Sequence, residues 1–186
     1  GKQDQYIAAY GGIDAFRFCK DGSVDAERLE LSPSQMRQFS SNLLLFYSAQ
    51  TRKADNILSE QKEKTGVNIE FLDGIKTLAF EAHKAITDGN FDRIGELLNR
   101  NWELKKKLAD KISNNVLDDM YETAMNAGSI GGKICGAGGG GFLMAYCPVS
   151  SQDRLMMEMK KYRCMPISID PDGSKGIFNY RRPSWK

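Results

Sequence analysis

The stretch Gly136-Ala137-Gly138-Gly139-Gly140-Gly141 restricts what this chain can fold into more than any other. Adjacent residues without a Cβ weaken any regular element, and they let backbone N–H groups come close to another surface or to an anion. Eight of the 18 glycines fall between Gly128 and Gly141. On either side, Ile134–Gly136 and Phe142–Cys147 read as strands, so the loop connects two strands. The string satisfies G-x-G-x-x-G, but a dinucleotide site needs a helix where Phe142 opens a strand. A Walker loop fails too, because Ile134 follows Gly132-Lys133 where a metal-binding Ser or Thr should stand. The plain alternative is a flexible hairpin connection, which ordinarily needs only one or two glycines.

The rest of the chain reads as strands at both ends around a helical middle. Ile13, Phe16 and Phe18 form a short apolar segment that stops at the turn signal Asp21-Gly22, and Val24–Leu31 returns. Ser32-Pro33 starts a short helical turn to about Phe39. Leu43–Tyr47 shows no alternation, which predicts a strand buried on both faces. Four helices follow. The first spans Thr51–Thr65 and stops at Gly66. The second carries Leu72, Ile75, Ala79, Ala82 and Ile86 as its buried face. The third is capped by Asn90 and carries Ile94, Leu97, Leu98, Leu104 and Leu108, and the fourth spans Asn115–Ala127 with Val116, Leu117, Met120 and Ala124 inside. Ser150 or Ser151 caps a last helix with Leu155, Met156 and Met159. Met165, Ile167 and Ile169 alternate, Pro171-Asp172-Gly173 turns, and Gly176–Tyr180 returns as an edge strand. The expected class is α+β, an antiparallel sheet with helices packed on one face.

Charge and composition narrow the function classes. Lys+Arg 26 against Asp+Glu 24 leaves a net charge of +2, so no broad field points to nucleic acid or a membrane surface. No apolar run approaches the roughly 18–20 residues of a bilayer span. Cys19, Cys135, Cys147 and Cys164 form no C-x-x-C pair and read as reduced cysteines of a cytoplasmic protein. His83 is the sole histidine, and no metal site is expected. Residue 1 is Gly rather than Met, with Asp4 and Tyr6 following at once, which reads as a piece of something longer.

Gly131-Gly132-Lys133-Ile134-Cys135-Gly136-Ala137-Gly138-Gly139-Gly140-Gly141-Phe142-Leu143 closely resembles the third signature of the GHMP small-molecule kinases (galacto-, homoserine, mevalonate and phosphomevalonate kinases). Gly1-Lys2-Gln3-Asp4-Gln5-Tyr6 resembles the G-x-x-D-Q-aromatic segment that carries the catalytic aspartate in the sugar kinases of that family. Leu43–Leu58 is similar to the branch that phosphorylates D-glycero-D-manno-heptose 7-phosphate at C1, with fucokinase domains nearby. The resemblance implies that residues 1–186 form the family's C-terminal domain, with a ferredoxin-like core and with 1–31 holding the end of the catalytic segment and a hairpin. It implies ATP and Mg²⁺ as cofactors, held mainly by an N-terminal kinase half whose P-x-x-x-G-L-x-S-S loop these residues do not contain. That half and a sugar or sugar-phosphate substrate are the implied partners. The chain alone is expected to be inactive.

By that resemblance Asp4 is the catalytic base, relieving a sugar hydroxyl of its proton for in-line phosphoryl transfer. From the residues alone, Asp4 is a carboxylate favoured in the first turn of a helix. The resemblance makes Gly136, Ala137, Gly138, Gly139, Gly140 and Gly141 the backbone wall near the phosphates. Thr51, Arg52 and Lys53 open a helix after a buried strand, where N–H groups and cations meet an anion such as a sugar 7-phosphate. The plain alternative is a pair of charges on a solvated helix. Lys105-Lys106-Lys107 reads as a solvated face. Galactokinase, fucokinase and a non-catalytic binding module that keeps the fold are the rival readings.

Overall fold

The structure is a computed structural model that describes residues 2–51 and 54–176. It falls into two compact units, residues 31–168 and a smaller one made of 1–30 with 169–186.

In the smaller unit, α1 (Lys2–Tyr10) precedes the antiparallel pair β1 (Asp14–Phe18) and β2 (Val24–Arg28), with Phe16 opposite Ala26. The Asp21-Gly22 turn forms as the sequence predicts, with Asp21 accepting from the Ser23 N–H at 2.9 Å and its hydroxyl at 2.6 Å. Tyr6 packs its ring with centroids 5.7 Å from Phe16, tilted, and 5.9 Å from Phe18, edge to face, fixing α1 on the hairpin. Arg28 ties the unit together. Its guanidinium donates to the buried Asp14 carboxylate at 2.8 Å, to Pro171 O at 2.9 Å and to Tyr10 O at 2.7 Å. The return strand is shorter than the expected Val24–Leu31.

The larger unit is built on a four-stranded antiparallel sheet in the order β4-β5-β3-β6, formed by β3 (Leu43–Tyr47), β4 (Gly131–Ile134), β5 (Phe142–Tyr146) and β6 (Arg163–Pro166). Ser32 starts α2 (Pro33–Ser41) through a capping box with Gln35. Helices α3 (Ala54–Glu63), α4 (Ile69–Thr87), α5 (Phe91–Lys106), α6 (Asn115–Asn126) and α7 (Gln152–Glu158) complete it. The core joins Leu44, Phe46, Trp102, Ile112, Leu117, Met120, Ile134, Leu143 and Leu155. The α+β class and the antiparallel sheet stand as expected from the sequence.

Several local expectations change. In α4 the buried side is Leu78, Ala85 and Ile86, while Leu72 and Ala79 are exposed. The set Phe71, Ile75, Leu78, Ala85 also keeps 3–4 spacing, and the contact with α5 selects it. Val116 and Met156 likewise face out, 42% and 44% exposed. Strand β4 begins at Gly131, earlier than expected, and Cys135–Gly136 belong to the loop. Ser151 makes no side-chain cap to α7. Ile167 and Ile169 lie beyond the end of β6. The expected edge strand Gly176–Tyr180 falls outside the described residues after Gly176. Among the described residues, no helix is long and apolar enough to cross a membrane.

Candidate functional site

The glycine loop connects β4 to β5, and its two ends are held by different means. At the sheet, Cys135 N donates to Phe142 O at 2.8 Å, closing the last rung of the hairpin. Inside the loop, Gly139 N donates to Ile112 O at 2.8 Å and Gly141 N to Gln50 O at 2.9 Å. These two anchors need close approach. A Cβ on Gly138 would lie 2.8 Å from Ile112 O, and one on Gly140 would lie 2.4 Å from Gln50 O. Gly136, Gly138, Gly139 and Gly141 all hold positive φ, which side-chain-bearing residues avoid. The glycines are therefore required by the path of the backbone, beyond any need for flexibility.

Among the described residues, no protein acceptor pairs with the N–H groups of Gly136, Ala137 and Gly140. Consecutive N–H groups in left-handed and turn conformations form a concavity suited to an anion. Lys105, from the end of α5, donates its ammonium to Gly136 O at the loop's entry. Lys133 on β4 reaches Asn101 Oδ1 at 3.1 Å, and burial holds its ammonium below the usual lysine range. Burial also pushes the Cys135 thiol up, against a smaller opposing pull from Lys133 and Lys105.

The segment after β3 is clamped to this loop. Ser48 donates to Gly141 O from its N–H at 2.9 Å and from its hydroxyl at 2.8 Å. The same hydroxyl accepts from Gln50 N at 3.2 Å. The residue held against Gly140 and Gly141 is Gln50, which precedes the exposed Thr51. Thr51 itself is not helical, and the described part of helix α3 is Ala54–Glu63. Arg52 and Lys53 lie outside the described residues. Between Ser48 and Gln50, Ala49 holds φ +55°. A left-handed alanine costs about 1–2 kcal/mol, partly offset by the extra chain entropy a glycine loses on folding. Ala49→Gly is expected to raise stability by about 0.5 kcal/mol, seen as a higher urea midpoint at unchanged slope. A lower midpoint would mean that the alanine side chain contributes packing of its own.

Asp4 belongs to the smaller unit, exposed in the first turn of α1. Lys2 and Gln3 of the same helix line a surface hollow of about 360 Å³ with Phe18, Cys19, Gly22 and Ser23. Tyr6, one turn on, is held by ring contacts to Phe16 and Phe18.

Sequence reasoning missed Ser48, Gln50 and Lys105. Ser48 and Gln50 carry no motif, since their role is set by pairing with a distant loop. The lysine run offered a signal that was misread. Lys105 turns to the loop, Lys106 pairs with Glu103 at 2.9 Å, and Lys107 lies 5.2 Å from the Phe71 ring centroid. Three consecutive helical residues point about 100° apart, so they cannot share one solvated face.

Residues 80–161 match the family described as the GHMP kinases C terminal. The chain is 28% identical over 163 residues to D-glycero-alpha-D-manno-heptose 7-phosphate kinase of Campylobacter jejuni, covering 87% of this chain and 48% of that protein. It thus spans about half the length of that curated relative. A crystal structure titled D-glycero-D-manno-heptose 1-phosphate kinase, from Bacteroides thetaiotaomicron, superposes with a TM-score of 0.72 at 23% identity, over 97% of this chain and 50% of that one. The L. major mevalonate kinase in complex with R-mevalonate gives 0.74 at 18% identity, over 92% and 53%. These two likenesses establish a shared fold.

Proposed function

Because this chain carries the C-terminal domain of the GHMP kinases, we propose that it serves an ATP-dependent sugar kinase acting on the anomeric hydroxyl of a sugar phosphate, heptose 7-phosphate first among them. One observation carries this reading. The glycine loop spends two N–H groups on anchors and leaves those of Gly136, Ala137 and Gly140 without a protein acceptor among the described residues. Such an arrangement fits the oxygens of a polyphosphate. Magnesium has no comparable cradle. Among the described residues, no group of three or more His, Cys, Asp or Glu side chains gathers to hold a metal, and no step of this mechanism runs through it.

In the proposed reaction Asp4 accepts the proton of the anomeric hydroxyl as that oxygen bonds to the terminal phosphorus of ATP. The bond from that phosphorus to the bridging oxygen breaks, and ADP leaves with the electron pair. The loop's N–H groups take up charge on the phosphoryl oxygens. Thr51, Arg52 and Lys53 are assigned to the 7-phosphate of the sugar. The 186 residues alone are proposed not to turn over ATP, since phosphoryl transfer depends on clamping the phosphates and this sequence contains no P-x-x-x-G-L-x-S-S loop.

A substrate panel on the full-length protein tests the reading. Heptose 7-phosphate should be phosphorylated in preference to galactose, fucose and mevalonate. Preference for an unphosphorylated sugar would transfer the assignment to galactokinase or fucokinase, and no turnover with any acceptor would favour a binding module. Arg52→Ala should weaken the sugar phosphate by about 1.5 kcal/mol, close to tenfold in KM, while an unphosphorylated sugar is nearly unaffected. Equal losses for both would place Arg52 in folding rather than in recognition.

A further inference from the structure

We propose that Lys105 is a positioning residue, whose ammonium holds the Gly136 carbonyl so that the glycine loop is set for a phosphate before the ligand arrives. The proposal rests on the reading of this loop as a phosphate wall. Four observations converge on it. Lys105 sits in the last turn of α5 and donates to Gly136 O, at the point where β4 gives way to the loop. Gly136 has φ +74° and nothing within 4 Å of a Cβ position, so its own surroundings do little to fix its peptide plane. Beyond it, the next anchor of the loop to another segment is Gly139 N to Ile112 O, leaving the Ala137 N–H without a backbone partner. Finally, α5 is itself rigidly placed, with Trp102 wholly buried and Gly95 in near-contact with Gly131.

A carbonyl held by a cation fixes the orientation of the following peptide unit, because C=O and the next N–H share one plane. Pinning Gly136 O therefore aims the Ala137 N–H. The interaction is charge-assisted, and it lies at an exposed point of the loop, where its strength comes from the ammonium charge. A bound phosphate would find its N–H donors already aimed and an ammonium at the entry to the loop, with less ordering entropy lost on binding.

The test compares Lys105→Met, Lys105→Gln and Lys105→Arg in the full-length protein, with Lys107→Met as the control. Lys107 removes the same charge from the same helix end but rests on the Phe71 ring. The first readout needs no ligand. Hydrogen exchange over residues 134–142 should accelerate about tenfold in Lys105→Met and Lys105→Gln, the worth of one charge-assisted bond. It should stay within about threefold of wild type in Lys105→Arg, which keeps a cationic donor, and be unchanged in Lys107→Met. The second readout is kinetic. KM for ATP should rise about tenfold in the neutral variants, with kcat changed much less, and Lys105→Arg should recover most of the loss. Wild-type exchange in both neutral variants would overturn the proposal, as would equal acceleration in Lys107→Met. A wild-type protein that phosphorylates no acceptor would refute the kinase reading instead, and the exchange result would still decide the role of Lys105.

Discussion

Asp4→Asn is expected to lower the proposed kinase activity of the full-length protein by about 10²–10⁴ in kcat, the usual contribution of a positioned general base, with little change in sugar affinity. The amide keeps the shape of the side chain and its first-turn position in α1 but cannot accept the proton of the sugar hydroxyl. A KM for the sugar that stays within about threefold would separate chemistry from binding. Near-normal kcat would remove Asp4 from the mechanism and leave it as an N-terminal helix carboxylate, whose interaction with the dipole is worth only about 0.3–1 kcal/mol. Stability serves as the control. Loss of one exposed charge should move the unfolding midpoint little, so a large drop in activity at an unchanged midpoint would be chemical in origin.

The second large effect is structural. Gly131→Ala should destabilise the fold by about 3 kcal/mol, at the upper end for overpacking. A Cβ on Gly131 would lie 1.8 Å from the Gly95 carbonyl oxygen and 2.7 Å from its carbon, so backbone meets backbone and no rotamer relieves the clash. Helix α5 would have to lift from β4, loosening Trp102 from the core. Tryptophan fluorescence against urea gives the midpoint. Gly66→Ala is the matched control, with nothing within 4 Å of its Cβ position and an expected change within about 0.5 kcal/mol. A midpoint for Gly131→Ala as high as that of the control would show that α5 and β4 have room to separate. Because Lys105 rides on α5, Gly131→Ala should also speed exchange in the glycine loop, in line with the role proposed for that lysine.

Features set by neighbouring residues were legible from the sequence. The Asp21-Gly22 turn, the Ser32-Pro33 helix start, the Asn90 cap and the apolar run Leu43–Tyr47 depend on side chains within a few positions of the backbone they control. The loop was legible as irregular backbone for a similar reason, since a string of glycines excludes regular structure whatever packs around it. Asp4 was singled out by resemblance, because an aspartate in a first helical turn has an ordinary explanation. The misses share a different cause. On α4, the set ending at Ile86 through Ala79 and the set through Leu78 and Ala85 both satisfy helical spacing.

The sequence by itself determined several of the turns, most of the helical segments, and that five of the six residues 136–141 carry no side chain. Those outcomes follow from short-range sterics, capping bonds and the loss of Cβ atoms, all of which act within a few residues. Tertiary structure alone decided which helical face is buried, that Ser48 and Gln50 clamp Gly141, and that Lys105 leaves its neighbours to hold Gly136. Those partners lie 31 to 93 residues apart, as Lys105 to Gly136 and Ser48 to Gly141 show. Hydrogen bonds and close packing reach only a few ångströms, so such pairings exist only once the sheet has brought β3, β4 and β5 side by side and α5 has settled against them.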